Sequence, residues 1–201
     1  MRIGIDFDNT IACYDGVFRA AAIERGLVPP DIGPSKNAVR DLLNGTGRKD
    51  AFTELQGYVY GARMDLARPY PGAAEAIASL RRAGHALFVV SHKTRTPMRG
   101  PDYDLHAAAR GFLEANGLVG PTAFAADCIH FEVTKEAKIA RATALGCDVF
   151  IDDLPEILRM ADFPAACRAI LFDPERQWQS ETFERHESWS SIAATLMDAR
   201  S

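Results

Sequence analysis

The sequence predicts an α/β fold: a mostly parallel sheet sandwiched between helices, three layers deep, with a small helical insertion after the first strand. Three observations predict it. Short apolar runs recur at residues 3–5, 86–90, 149–151 and 169–172, each about the length of a strand buried on both faces. Helical stretches separate the later runs, and such alternation is the pattern of a parallel sheet, whose crossovers need a helix. The block between the first and second runs is helical in pattern and holds no clear strand.

Taken in order, Ile3 and Ile5 are β-branched and alternate with smaller residues, as a strand does. Tyr14 to Gly26 reads as a helix with Val17, Phe18, Ala21 and Ala22 on one face and Gly26 as its stop. A breaker-rich segment, 28–35, follows. Ser35 then caps a short helix over Asn37 to Leu43, and Asp50 to Met64 forms another, with Phe52, Leu55, Val59 and Tyr60 on about one face. Alternation resumes with a helix over Gly72 to Ala83 and a strand over Ala86 to Val90. A basic, Pro- and Gly-broken loop over Arg95 to Pro101 leads to a helix over Asp104 to Asn116. Cys128 to Phe131 reads as a short third strand, and Thr134 caps a helix over Lys135 to Leu145. Val149 to Ile151 is the fourth strand, and Pro155 opens a helix. Ala169 to Phe172 is the fifth strand, and a last helix runs from about Ser190 to Ala199. The expected division is residues 1–12 and 71–201 as a core domain and 13–70 as the insertion.

The 201 residues suffice for one well-buried core, and 47% apolar with 25% charged residues is ordinary for a globular protein. A net charge of −4 with no basic field argues against nucleic acid or an anionic membrane surface as partner. Met1 and Arg2 run into the first strand without a leader pattern, and no apolar run approaches spanning length. Cys13, Cys128, Cys147 and Cys167 are scattered, with no metal-ligand spacing, and read as small hydrophobes in a reducing compartment. A cytoplasmic protein, monomeric or homodimeric, is expected.

The chemistry lies where strands end, which is where open α/β sheets bind ligands. Asp6 and Asp8 close the first strand, Ser91 the second, and Asp152 and Asp153 the fourth. Two close carboxylates repel unless a metal ion, a lysine or a shared proton joins them. Asp6 and Asp152, with Asp153, offer hard oxygen ligands for Mg²⁺. Asp153 has two other readings: ligation through water, or a helix cap. One carboxylate can attack phosphorus and another, Asp8, can protonate a leaving oxygen and later take a proton from water. Ser91 can donate to a phosphoryl oxygen, and a lysine can neutralise another. Lys135 is favoured as that lysine because it starts a helix behind Thr134; Lys138, one turn on, is the alternative. His92, Lys93, Arg95 and Arg99 form a basic run that reads as a solvated loop, or as a grip on a second anionic part of the substrate.

Asp6-Phe7-Asp8-Asn9-Thr10 resembles the first motif, DxDxT, of the haloacid dehalogenase superfamily of phosphohydrolases. Val89-Val90-Ser91 resembles the second motif, Lys135 the third and Ile151-Asp152-Asp153 the fourth, in the family's order across about residues 3–155. Asn9 stands where glycine is common. The resemblance implies a Rossmann-like three-layer core with 13–70 as a small cap. It implies Asp6 as nucleophile, Asp8 as general acid/base, and Mg²⁺ on the Asp6 side chain, the Asp8 carbonyl and Asp152; Thr10, Ser91, His92 and Lys93 are expected to contact the substrate. The expected function is Mg²⁺-dependent hydrolysis of a small phosphorylated metabolite through an aspartyl-phosphate. Alternatives are a phosphomutase or phosphotransferase with the same intermediate, or a receiver-like or degenerate phosphate-binding module. A dehalogenase in the strict sense has no need of Asp8.

Overall fold

The computed structural model describes residues 1–179 and 182–198. The expected end of the last helix at Ala199 lies outside the described residues. The chain divides into two compact units, residues 1–12, 69–93 and 114–201, and residues 13–68 and 94–113.

The elements run β1 (Arg2–Ile5), β2 (Ala12–Cys13), α1 (Val17–Glu24), α2 (Lys36–Gly45), α3 (Lys49–Ala62), β3 (Arg68–Pro69), α4 (Ala73–Arg82), β4 (Ala86–His92), α5 (Leu105–Ala115), β5 (Ile129–Glu132), α6 (Lys135–Ala144), β6 (Val149–Asp152), α7 (Pro155–Leu158), β7 (Arg168–Phe172), β8 (Glu184–His186) and α8 (Trp189–Asp198). Every expected strand and helix over the described residues is present, with ends displaced by a few residues. Three short strands went unforeseen: β2 and β3, which pair with each other, and β8.

The first unit is built on a six-stranded sheet in the order β5-β4-β1-β6-β7-β8, parallel throughout. Gly4 lies level with Phe88 and Phe150 across the three central strands. A Cβ at Gly4 would lie 2.6 Å from Phe150 Cδ2 and 3.0 Å from Cys147 Sγ, so only glycine admits that ring. Phe88, Val90, Phe150 and Leu171 join Ile139 and Ala142 of α6 and Ile157 and Leu158 of α7 in one buried cluster. That cluster seats α6 and α7 on one face of the sheet. Phe172, which points away from the Leu171 face, meets the rings of Tyr70 and Trp189 at centroid distances of 5.0 and 5.9 Å. Trp189 opens α8, which packs against α4. Helices therefore cover both faces, as a parallel sheet requires.

The second unit is helical. The α1, α2 and α3 helices pack pairwise around the edge-to-face rings of Tyr14, Phe18 and Tyr60. Lys36 Nζ lies 4.8 Å from the Phe18 ring centroid and 2.9 Å from the Tyr60 hydroxyl. Ser35 caps α2, its hydroxyl accepting from Ala38 N at 3.1 Å. Residues 94–113, which the expected boundaries assign to 71–201, group with these helices. A Cβ at Gly57 would lie 2.6 Å from Pro97 Cβ, so glycine on α3 permits the close approach of that segment.

Candidate active site

Sheet register brings the candidate residues together. Ile5 is level with Val89 and with Ile151. Asp6 and Asp152 are each one step further on, and share the face that carries Gly4, Phe88 and Phe150. They therefore stand side by side at the carboxyl ends of the two most central strands, on the side that α6 covers. Asp6 N continues the ladder, donating to Ile151 O at 2.9 Å. Beyond Asp6 the chain turns sharply. Ile11 N and Ala12 N both donate to Phe7 O, and Asn9 adopts a left-handed conformation at φ 57°. Asn is among the residues that accept this conformation most readily.

Lys138, Ile139 and Ala142 form the buried stripe of α6. Ile139 and Ala142 anchor the helix in the core, and Lys138 reaches the acids. Its Nζ lies 2.6 Å from Asp6 Oδ1 and 2.6 Å from Asp152 Oδ2, and 5.6 Å from the Phe150 ring centroid. Lys138 is 2% exposed, Asp6 5% and Asp152 0%. The ammonium beside Asp6 is thus Lys138. The expectation of Lys135 is corrected on this point: its Nζ pairs instead with Glu156 Oε1 at 2.6 Å, at the solvent edge. Lys135 still lines the cavity described below, but from the first helical turn it does not hold the acids.

The remaining hydrogen bonds fix the two carboxylates. Asp152 Oδ1 accepts from Leu154 N at 3.0 Å. Thr10 Oγ1 donates to Asp6 Oδ2 at 3.4 Å, and Thr10 O accepts from Trp189 Nε1 at 2.9 Å. Thr10, expected as a substrate contact, is fully buried and orients Asp6 from behind. Asp153 completes a group with Asp6 and Asp152, in which one carboxylate oxygen from each lies within 4.8 Å of the others. Burial pushes the Lys138 ammonium down, but the Asp152 and Asp6 carboxylates outweigh it, so its pKa stands above the ordinary lysine value. Burial lifts the Asp152 carboxyl against the pull of Lys138. Burial, reinforced by the negative charges of Asp152 and Asp6, lifts Asp153 well above its ordinary value. Three carboxylates around one ammonium leave a surplus of negative charge. Hard oxygen donors so close together suit a divalent cation such as Mg²⁺, and the lifted Asp153 carboxyl is what an uncompensated cluster produces.

A cavity of about 80 Å³ opens on this group, with Asp6, Asp8, Ser91, His92, Lys138 and Asp153 among its walls. Leu154 and Ile157 supply an apolar side. A water's share of the liquid is about 30 Å³, so the space suits a small polar group. Ser91 is 1% exposed, and its hydroxyl has no hydrogen-bond partner among the described residues, although it borders the cavity. Such an orphaned donor is costly unless something fills the space before it. Lys93 does not line the cavity. It is 4% exposed, so it is no part of a solvated run, and its Nζ lies 2.7 Å from Asp8 Oδ2. No sequence signal separated Lys93 from Arg95 and Arg99, because the decision depends on which side chain turns inward. The four cysteines form no disulfide among the described residues. Burial pushes the Cys147 and Cys167 thiols up to about 11 and about 12, which leaves them unreactive at neutral pH.

No family model matches the chain, and no curated protein matches it. Solved structures do. A HAD-superfamily hydrolase from Ehrlichia chaffeensis is 16% identical, with a TM-score of 0.63 over 100% of this chain and 97% of that one. A HAD family hydrolase from Deinococcus radiodurans, with bound phosphate and sodium, is 18% identical, with a TM-score of 0.61 over 98% and 95%. A predicted phosphatase from Clostridium acetobutylicum is 13% identical, with a TM-score of 0.63 over 98% of each chain. This chain, whose parallel sheet gathers Asp6, Asp152 and Asp153 at one edge, has the fold of the haloacid dehalogenase superfamily hydrolases.

Proposed function

We propose that this chain is a Mg²⁺-dependent phosphomonoester hydrolase acting on a small phosphorylated metabolite through an aspartyl-phosphate on Asp6. The observation that carries the reading is Lys138, whose ammonium lies between the buried carboxylates of Asp6 and Asp152 at the wall of a small cavity. An Asp6 oxygen attacks phosphorus as the bond to the leaving oxygen breaks, and Asp8 supplies the proton that oxygen needs. Asp8 then takes a proton from water. The water oxygen bonds to phosphorus, the bond to Asp6 breaks, and inorganic phosphate leaves. Lys138 stays charged throughout, orients Asp6 and neutralises phosphoryl charge, while the Ser91 hydroxyl donates to a phosphoryl oxygen. Mg²⁺, held by Asp6 and Asp152 with Asp153 and the Asp8 carbonyl, would supply further charge neutralisation at the phosphoryl oxygens. In this reading residues 13–70 correspond to the small cap that selects the substrate, extended by the 94–113 segment. The bound phosphate of the Deinococcus relative is in keeping with a phosphate-handling fold.

The test is phosphate release from a broad panel of metabolite monoesters with Mg²⁺, beside Asp6→Asn. The parent is expected to turn over at least one substrate, and Asp6→Asn to lose about 10⁴-fold or more, as removal of a covalent nucleophile does elsewhere. No release by the parent, or equal release by both, overturns the reading. Phosphorylated acceptor in place of free phosphate would identify a transferase.

A further inference from the structure

Two aspartates close β1, and the structure gives each its own buried lysine. Lys138 serves Asp6, and Lys93 meets Asp8 Oδ2 at 2.7 Å. The two lysines differ in their relation to the cavity. Lys138 borders it, whereas Lys93 does not and reaches Asp8 from outside. Asp8 itself borders the cavity, with its side chain 22% exposed against 3% for that of Lys93.

Lys93 has little freedom to do anything else. It follows the last residue of β4, and its backbone N–H donates to Glu132 O at 2.7 Å. Its Nζ lies 5.5 Å from the ring centroid of Phe7, and that ring is held edge-on by Phe131 at 5.6 Å. A buried ammonium needs a partner, because burying an unpaired charge is far costlier than burying a paired one. Asp8 has a wall of the cavity in front of it and this fixed cation behind. Asp8 is also absent from the cluster of carboxylates formed by Asp6, Asp152 and Asp153, so its side chain stands apart from the candidate metal ligands.

We propose that Lys93 is a positioning residue for Asp8: its ammonium anchors one carboxylate oxygen from outside the cavity, so that the other is presented to the leaving group. This rests on the phosphatase reading above. Lys93 is not among the residues that line the cavity where a phosphoryl group would sit. Its effect on kcat/KM, which reads the steps up to departure of the leaving group, should therefore appear where proton donation by Asp8 limits that departure, and should disappear where the leaving group departs without help.

The experiment compares Lys93→Met, Lys93→Arg, Asp8→Asn and the double variant, with Mg²⁺, on two substrates: p-nitrophenyl phosphate, a good leaving group, and an alkyl phosphomonoester, a poor one. Lys93→Met is expected to lose about 10²-fold in kcat/KM on the alkyl ester, the lower end of a general acid's usual contribution. Its kcat/KM should stay within about threefold on p-nitrophenyl phosphate. Lys93→Arg should recover most of the loss, and Lys93→Met should add little to Asp8→Asn, since residues acting as a unit are not additive. Thermal stabilisation by beryllium fluoride with Mg²⁺, which reports the Asp6 site, should persist in Lys93→Met. Equal losses of kcat/KM on both substrates, or additivity with Asp8→Asn, overturns the proposal. If Lys93→Met does not fold, Lys93→Gln, which keeps a donor on a shorter, uncharged side chain, is read by the same ratio of substrates. An inactive parent, or an Asp8→Asn variant as active as the parent, overturns the phosphatase reading itself.

Discussion

The first two turns of α6 carry a lysine each, and the two have opposite fates. Lys135 and Lys138 are three residues apart, so they sit on neighbouring positions of one helical face. They differ by about 4.5 Å along the helix axis. That distance takes Lys138 from the solvent edge into the space between Asp6 and Asp152, where it is 2% exposed. Lys135 stays at the rim, paired with Glu156, its side chain 41% exposed. The same ammonium makes two kinds of ion pair. The buried one fixes two acids whose charges would otherwise repel, and the exposed one contributes little, because water and salt screen it.

Lys138→Met should break the contrast most visibly. It leaves Asp6 and Asp152 buried without their cation, and loss of one member of a buried pair costs about 3–5 kcal/mol. At about 2–4 °C per kcal/mol for a chain of this size, the metal-free variant should melt at least about 6 °C below the parent in a thermal scan. Its phosphatase kcat should fall by about 10²-fold or more, as when an electrostatic donor is removed elsewhere. A variant that melted with the parent would show that Asp6 and Asp152 do not need Lys138.

Asp153→Asn sharpens the account of the surplus negative charge, and it should act in the opposite direction. Because the Asp153 carboxyl is lifted in the folded chain, folding favours its protonated form, and its ionised form costs stability at neutral pH. Metal-free Asp153→Asn should therefore melt above the parent at pH 7.5, by about 2–4 °C if the gain is on the order of 1 kcal/mol. The gap should close as pH falls towards the ordinary carboxylate range near 3.8. Mg²⁺ should stabilise the parent more than the variant. A gap that is independent of pH would place the effect outside this titration.

Lys135→Met should do least. Stability is expected to move by no more than about 0.5 kcal/mol, and kcat by no more than about threefold, with Glu156→Gln behaving likewise. If kcat fell as far as in Lys138→Met, the two turns of α6 would have to be treated as one functional unit.

Much of this was legible in the sequence. The strands β1, β4, β6 and β7 are apolar enough to announce themselves, and parallel pairing follows from the helices between them. The acids at their ends read as a site because each breaks an apolar run where a strand must stop. β8 was not legible: Glu184-Arg185-His186 is polar and short, and becomes a strand by pairing with β7, helped by the ion pair from Arg168 to Glu184. The grouping of 94–113 with 13–68 was hidden for a similar reason. It depends on packing such as Pro97 against Gly57, not on any local preference.

Residue order by itself determined the α/β alternation, the helical insertion and the acids Asp6, Asp8, Asp152 and Asp153. Those depend on local hydrophobic period and on where it is interrupted, and both are properties of short segments. Only the tertiary structure decided that Lys138 and not Lys135 meets Asp6, that Lys93 turns inward to Asp8, and that Thr10 stands behind Asp6 while Ser91 borders the cavity. A long side chain's partner depends on its depth along a helix and on what its neighbours leave open. Those quantities exist only once the sheet has brought distant strand ends together.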